Sequence, residues 1–144
     1  MRSLFITLIL LLPISLAAQD IDVKDSAIIV DGKPYAKIEK DGHGIFQEHI
    51  FTIYELTGKA AIVIKWFKST SASEMNRANP KGEYWYADIN FLQSKQKGQL
   101  RYLKDKYKDI AKLIVKSKLF KEGKIDQEAV DNFILINPVM FYPN

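Results

Sequence analysis

The spacing of the hydrophobic residues changes once along this chain, and that change limits the folds that the chain can adopt. Residues 83–93 alternate between apolar and polar side chains, with Trp85 and Phe91 on the same side, which is the period of a β-strand. From Gln99 onward the apolar residues recur every three or four positions, which predicts an amphipathic helix that ends near Lys118. Strands followed by helices predict an α+β fold in which the helices pack on one face of a sheet.

Turns that contain glycine divide the first half of the chain into β-rich runs. Residues 26–40 place Asp31-Gly32 between two such runs, which predicts a β-hairpin. Residues 46–67 repeat the arrangement around Gly58 and predict a second hairpin. With the alternating strand that comes later, these hairpins predict an antiparallel meander of about five strands.

The remaining segments complete a single domain, which we expect to span residues 19–144. Residues 69–82 are polar and show no periodicity, so we predict a mobile loop there. A second helix is predicted near the C-terminus, because Asp126 is a residue type that caps helix N-termini. Pro138 requires that helix to end near Ile136.

The first eighteen residues have the pattern of a secretory signal peptide. Arg2 is followed by an apolar run that Pro13 interrupts, and small residues close the segment. A membrane anchor is the alternative, but an anchor needs about twenty apolar residues, and this run is shorter. We therefore expect cleavage after Ala17 or Ala18, which leaves an exported chain that is periplasmic or extracellular and has no further transmembrane segment.

The absence of cysteine limits the chemistry that is open to an exported protein. With no cysteine in the sequence, disulfides, thiolate catalysis and cysteine metal sites are all excluded. The predicted core must then stabilise the fold by packing alone.

Basic residues are concentrated in one stretch of the chain. Between Lys95 and Lys124 there are eleven lysines and arginines against three acidic residues. A basic face can concentrate an anionic partner, so we predict contact with anionic lipid, an acidic glycan or an acidic protein. The predicted contact residues share one face of the expected helix: Arg101, Lys104, Lys108, Lys112 and Lys116.

A solvated helix face is the alternative interpretation of this stretch. Three intrahelical pairs would then neutralise part of the charge: Arg101 with Asp105, Asp105 with Lys108, and Asp109 with Lys112. Nucleic acid is not expected as a partner, because Arg101 is the only arginine in the stretch and arginine supplies most bidentate contacts to bases and phosphates.

Aromatic residues offer a second candidate site. Alternation places Tyr84 and Tyr86 on the strand face opposite Trp85. If the helices cover the tryptophan side, the two tyrosines face a ligand, and stacked aromatic rings suit a glycan or an extended peptide.

Catalysis has little support in the sequence. His43 and His49 match no zinc spacing, and neither a nucleophile elbow nor a phosphate-binding loop is present. A small hydrolase would have to use carboxylates gathered across strands, of which the candidates are Glu48, Glu55, Glu83 and Asp88. We therefore expect a binding or accessory domain without catalytic residues, metal or cofactor.

The signal-peptide prediction can be tested directly. When the full chain is expressed in a Gram-negative host, intact-mass analysis of the exported product should show loss of residues 1–17 or 1–18. Leu8→Arg should block export, because a charge in the apolar run prevents its recognition. Recovery of a product that retains Met1 would contradict the prediction.

Overall fold

The computed structural model describes residues 19–41 and 50–140, and within these ranges the chain forms one large antiparallel sheet followed by two helices. The sheet has seven strands whose spatial order equals their order in the sequence. The strands are β1 Ile21–Lys24, β2 Ala27–Val30, β3 Lys33–Asp41, β4 Ile50–Tyr54, β5 Ala60–Thr70, β6 Glu83–Phe91 and β7 Gln96–Arg101. The C-terminal elements are α1 Tyr107–Lys116, β8 Phe120–Lys121, β9 Lys124–Ile125 and α2 Gln127–Ile136. The predicted α+β class is confirmed, with seven strands in the sheet where about five were expected.

The first additional strand, β1, pairs with β2 through a two-residue turn. Asp25 and Ser26 both have positive φ, 49° and 59°, as a tight hairpin turn of this hand requires. Neither residue is a glycine, and β1 is four residues long. The turn and the strand therefore lack the signals that mark the neighbouring Asp31-Gly32 hairpin, which the structure confirms as β2 and β3.

The other additional strand, β7, occupies sequence that was predicted to be helical. Leu100 is paired with Ala87 of β6, and the Leu103 carbonyl accepts a hydrogen bond from Trp66 Nε1 at 2.8 Å. The helix that was expected from Gln99 therefore begins only at Tyr107. Its apolar spacing matched a helix by coincidence, because Leu100 belongs to a strand and Leu103 to the segment that connects the strand to the helix.

One face of the sheet forms the core beneath both helices. The side chains at its centre are fully buried and come from consecutive strands and from α1: Ile38, Phe51, Ile53, Ile62, Ile64, Ile89, Ile110 and Ile114. Helix α2 approaches β7 so closely that a Cβ at Gly98 would lie 2.9 Å from Phe133 Cε1. Phe133 in turn meets Phe91 edge to face, with ring centroids 5.6 Å apart. The absence of a side chain at Gly98 thus sets the distance between helix and sheet.

Helix α2 follows its predicted boundaries. The Asp126 carboxylate accepts hydrogen bonds from the N–H groups of Glu128 and Ala129, so Asp126 is the N-cap. The helix ends at Ile136, two residues before Pro138.

The segment predicted as a mobile loop contains local structure. Its first two residues continue β5, and a short 3-10 helix follows at Ala72–Glu74. Asn79 closes the segment, because its side chain donates to the Glu83 carbonyl at 2.8 Å and accepts from the Glu83 N–H at 3.0 Å. Mobility of this loop stays a prediction.

Some sequence-based predictions fall outside the described residues. These include the signal peptide at residues 1–18 and the positions of His43, Glu48 and His49. In the part of the chain that is described, no helix has the length and apolar character needed to cross a membrane.

Glu55 joins the β4–β5 turn, the β6–β7 turn and strand β9 at one end of the sheet. Its side chain, only 6% exposed, follows β4 and accepts hydrogen bonds from Gln93 Nε2 at 2.9 Å and from the Ile125 N–H at 3.1 Å. Thr57 adds a hydroxyl donor at 3.3 Å. Burial acts to raise the pKa of Glu55, but these three donors, with the charge of Lys59, outweigh it and lower the pKa below its usual range.

A second contact beside Glu55 fixes the β8–β9 hairpin against the sheet. The Leu56 N–H donates to the Gly123 carbonyl at 2.9 Å. Gly123 has φ +76°, and a Cβ there would lie 2.6 Å from Leu56 Cδ1. Because the hairpin turn needs both the left-handed conformation and the missing side chain, glycine is required at this position.

Glu55→Gln should reduce stability in a way that depends on pH. At neutral pH we expect a loss of about 1–3 kcal/mol, because charge-assisted hydrogen bonds are weakened. A lowered folded-state pKa stabilises the fold above the unfolded pKa, near 4.5, and that contribution is lost as the pH falls through the folded pKa. The difference between variant and wild type, measured by urea unfolding, should therefore shrink in acid. Glu122→Gln at the hairpin turn is the control, and a constant difference at all pH values would contradict the prediction.

Candidate functional site

The five basic residues that were expected on one helical face lie on three parts of the chain. Arg101 is the last residue of β7, and Lys104 lies in the segment between β7 and α1. The remaining three are on α1 and are exposed: Lys108, Lys112 and Lys116. The expected single face is thus corrected to a shorter one, because the helix begins six residues after Arg101.

Arg101 is engaged elsewhere. Its Nη2 atom forms an ion pair with Glu74 Oε1 at 2.9 Å, and its guanidinium lies 4.2 Å from the centre of the Tyr84 ring. The ion pair joins β7 to the 3-10 helix at Ala72–Glu74, and the ring contact joins β7 to β6. The Glu74 carboxylate therefore neutralises the charge of Arg101, and the Arg101 guanidinium stacks on the Tyr84 ring.

The lysines on α1 are not neutralised by the expected intrahelical pairs. Asp105 pairs with Lys40 of β3 at 3.9 Å. Among the described residues, no ion pair within 4.0 Å involves Lys108, Lys112 or Lys116. We call these three residues together with Lys104 the lysine row. The row points away from the core, because the buried side of α1 consists of Ile110, Ala111, Ile114 and Val115.

Beyond the C-terminal end of α1 the basic surface borders a cleft. This cleft lies between β2, β3, the end of α1 and the β8–β9 hairpin, and we call it the α1–hairpin cleft. Its volume is about 520 Å³, within the range of small-ligand sites. Apolar side chains form its floor, namely Val30, Tyr35, Val115 and Phe120, and three lysines stand around it, namely Lys116, Lys118 and Lys121. Gln19 and Asp126 complete the lining.

Tyr35 connects the two sides of the cleft. Its hydroxyl oxygen accepts a hydrogen bond from the Phe120 N–H at 3.2 Å, and the two rings meet edge to face at 5.9 Å. Burial raises the pKa of Tyr35, the Phe120 N–H lowers it in part, and the charge of Asp126 raises it further, with a net rise. The hydroxyl therefore stays protonated at physiological pH and keeps a proton to donate.

The aromatic residues of β6 differ in exposure from what alternation predicted. Tyr84 is 8% exposed and Tyr86 is fully buried, whereas Trp85 is 55% exposed. Tyr86 stacks on Phe67 with ring centroids 5.7 Å apart and also contacts Tyr84 at 6.2 Å. The side of the sheet opposite the helices is therefore filled around these tyrosines, while Trp85 lies near the sheet end opposite Lys68. A ligand role for Tyr84 and Tyr86 stays a prediction. That role requires exposed rings, and the structure describes both rings as buried.

The carboxylates considered for hydrolysis are separated and engaged in other contacts. Glu55 binds three donors at one end of the sheet, and Glu83 pairs with Lys68 at 2.7 Å near the other end. Asp88 lies between them and accepts from Lys97 at 3.0 Å and from Gln99 at 2.7 Å. In the described ranges, no cluster of three histidine, aspartate or glutamate side chains is placed to hold a metal ion.

The sequence reasoning missed the α1–hairpin cleft. Its residues come from separate segments, so no periodic pattern links them. The available signal was the density of lysines at and after the end of the helix, at positions 116, 118 and 121, next to the apolar pair Leu119 and Phe120.

Comparisons with known proteins give no independent assignment. No family model matches the sequence, and neither a curated protein nor a solved structure matches it. The function must therefore be argued from the geometry of this chain.

The two tryptophans should respond differently to a neutral quencher. Trp66 is half-buried and hydrogen-bonded, whereas Trp85 is exposed. Trp85→Phe should remove the red-shifted emission that acrylamide quenches readily, and it should change stability by less than about 0.5 kcal/mol. Trp66→Phe is the matched variant and should leave mainly the readily quenched emission. If Trp85→Phe leaves quenching unchanged, the described exposure of this strand is wrong.

Proposed function

We propose that this chain is an exported, non-enzymatic binding domain that contacts an anionic component of the cell envelope through its lysine row. The observation that carries the proposal is the row itself. Its members on α1 are exposed and form no ion pair with any described residue. Charges that are left without intramolecular partners are available to a ligand.

The helix gives the row a regular geometry. Successive lysines on α1 are four residues apart, which corresponds to about 6 Å along the axis. A line of positive charges at that spacing suits a surface that carries many negative groups. Among the predicted partners, an anionic lipid surface is favoured, because each lysine near such a surface contributes about 1 kcal/mol of attraction. The mechanism is charge concentration, with no covalent step.

The alternative functions have less support from contacts. The tyrosine pair that would hold a glycan or peptide is buried, and the three described carboxylates of the hydrolase hypothesis are each hydrogen-bonded or paired. The lysine row is the one sequence-predicted surface whose side chains are both exposed and unneutralised among the described residues.

Vesicle co-sedimentation tests the proposal. The exported chain is mixed with phosphatidylcholine vesicles and with vesicles that also contain phosphatidylglycerol, at about 0.01 M and about 1 M salt. We expect binding only to the anionic vesicles and only at low salt. The triple variant Lys104→Gln, Lys108→Gln and Lys112→Gln should lose about 3 kcal/mol of binding free energy, roughly a hundredfold in affinity.

The matched control removes the same number of charges from other elements. Lys37→Gln, Lys81→Gln and Lys95→Gln together leave the lysine row intact and give the same net charge as the first variant. We expect this control to bind nearly as well as the wild type. Equal losses in both variants would show that net charge alone drives binding, and no binding by the wild type would reject the proposal.

A further inference from the structure

We infer that the α1–hairpin cleft binds a lipid phosphate monoester, with the phosphate held by Lys116, Lys118 and Lys121 and the start of the apolar chain on Tyr35 and Phe120. This inference rests on the proposed function, because Lys116 belongs both to the lysine row and to the cleft. It adds a discrete site and a ligand class to what would otherwise be contact by a surface alone.

The shape and lining of the cleft indicate an amphipathic ligand. Its floor combines two aliphatic residues, Val30 and Val115, with the edge-to-face pair of Tyr35 and Phe120. Val115 and Phe120 are already only 4% exposed, so a short hydrocarbon chain would bury mainly the half-buried Val30 and Tyr35, which an inorganic ion would leave uncovered.

The charges around the cleft favour an anion. Three lysines surround it, against one carboxylate, that of Asp126. Asp126 is occupied as the N-cap of α2, where it accepts from the Glu128 and Ala129 N–H groups. A ligand that entered the cleft would therefore meet an excess of positive charge.

The charge of the ligand favours a phosphate monoester over a carboxylate. Arginine binds both anions through its planar, two-pronged geometry, so the absence of arginine from the described lining of the cleft does not separate them. Lysine binds phosphate as a compact point charge, and a phosphate monoester carries up to two negative charges that several lysines can share. The Tyr35 hydroxyl accepts from Phe120 and retains its own proton to donate to a phosphate oxygen.

The cleft is held in shape by contacts that need no ligand. The Lys118 N–H donates to the Val115 carbonyl at 2.9 Å, and Lys118 has φ 53°, so the chain turns sharply after α1. On the other side of the hairpin, Glu55 holds Ile125 of β9 and Leu56 holds Gly123 of the turn, and β9 pairs with β8, which carries Phe120 and Lys121. A site formed in advance costs less ordering entropy on binding.

Octyl phosphate is the probe for the first experiment, which uses the exported chain. Titration followed by amide chemical shifts should show one saturable site, with the largest shifts at residues 115–121 and at Tyr35. Inorganic phosphate lacks the apolar chain and octanol lacks the charge, and each should bind at least tenfold more weakly. Equal affinity for octyl phosphate and either fragment, or shifts confined to other residues, would overturn the inference.

Two variants separate the cleft from the lysine row. Lys118→Gln with Lys121→Gln should weaken octyl phosphate binding by roughly tenfold or more, and both positions are exposed, so the fold should be retained. The row variant Lys104→Gln, Lys108→Gln and Lys112→Gln is the control and should bind octyl phosphate as the wild type does. If the row variant loses the probe while the cleft variant keeps it, the inference fails.

Vesicles distinguish a lipid source of the phosphate from a free one. At matched surface charge, vesicles with phosphatidic acid, a monoester, should be preferred over vesicles with phosphatidylglycerol, a diester, and the cleft variant should lose only that preference. Octyl phosphate binding without a preference for phosphatidic acid would overturn the lipid as ligand. Vesicle binding without octyl phosphate binding would reject the cleft and leave the proposed function intact. Octyl phosphate binding without any vesicle binding would reject both the proposed function and the lipid as ligand, and would leave a site for a free phosphate monoester.

Discussion

The buried carboxylate of Glu55 is the contact on which the arrangement of the C-terminal third depends. It receives donors from the β4–β5 turn, the β6–β7 turn and β9, so three segments that are remote in the sequence meet at one side chain. Because a buried carboxylate is tolerated only when its oxygens are satisfied, the β8–β9 hairpin must lie against this end of the sheet. That placement in turn positions Phe120 and Lys121, and with them one wall of the α1–hairpin cleft.

The elements that the sequence predicted well are those with local signals. The Asp31-Gly32 turn defines its own hairpin, and Asp126 with Pro138 defines both ends of α2, since each of these residues acts on neighbouring backbone. Strand β7 lacked such a signal, because its residues are mostly polar and its one leucine continued the spacing of the following helix. What makes it a strand is pairing with β6, a contact that a periodicity within one segment does not encode.

The residues of the candidate site also fall into two groups, those that local spacing predicts and those whose contacts depend on the topology. Lys108 and Lys112 could be placed on one face from their spacing alone, because every α-helix brings residues four positions apart onto the same face, whatever packs around it. The contacts of Arg101 with Glu74 and Tyr84, and the burial of Tyr86 against Phe67, depend on which strands are neighbours. The cleft depends on four elements at once, so its residues could be recognised only after the topology was known.

The order of the strands has a consequence for how the chain reaches this structure. Each strand of the sheet pairs with the strand that precedes or follows it, so the sheet can assemble from contacts between neighbouring segments, which close faster than contacts between remote ones. The packing of α1 against β1 is different, because it joins elements that are more than eighty residues apart. A chain that emerges with its N-terminus first therefore forms β1 early and leaves it uncovered until α1 arrives. The slowest step of assembly should be the closure of the helices over a sheet that has already formed.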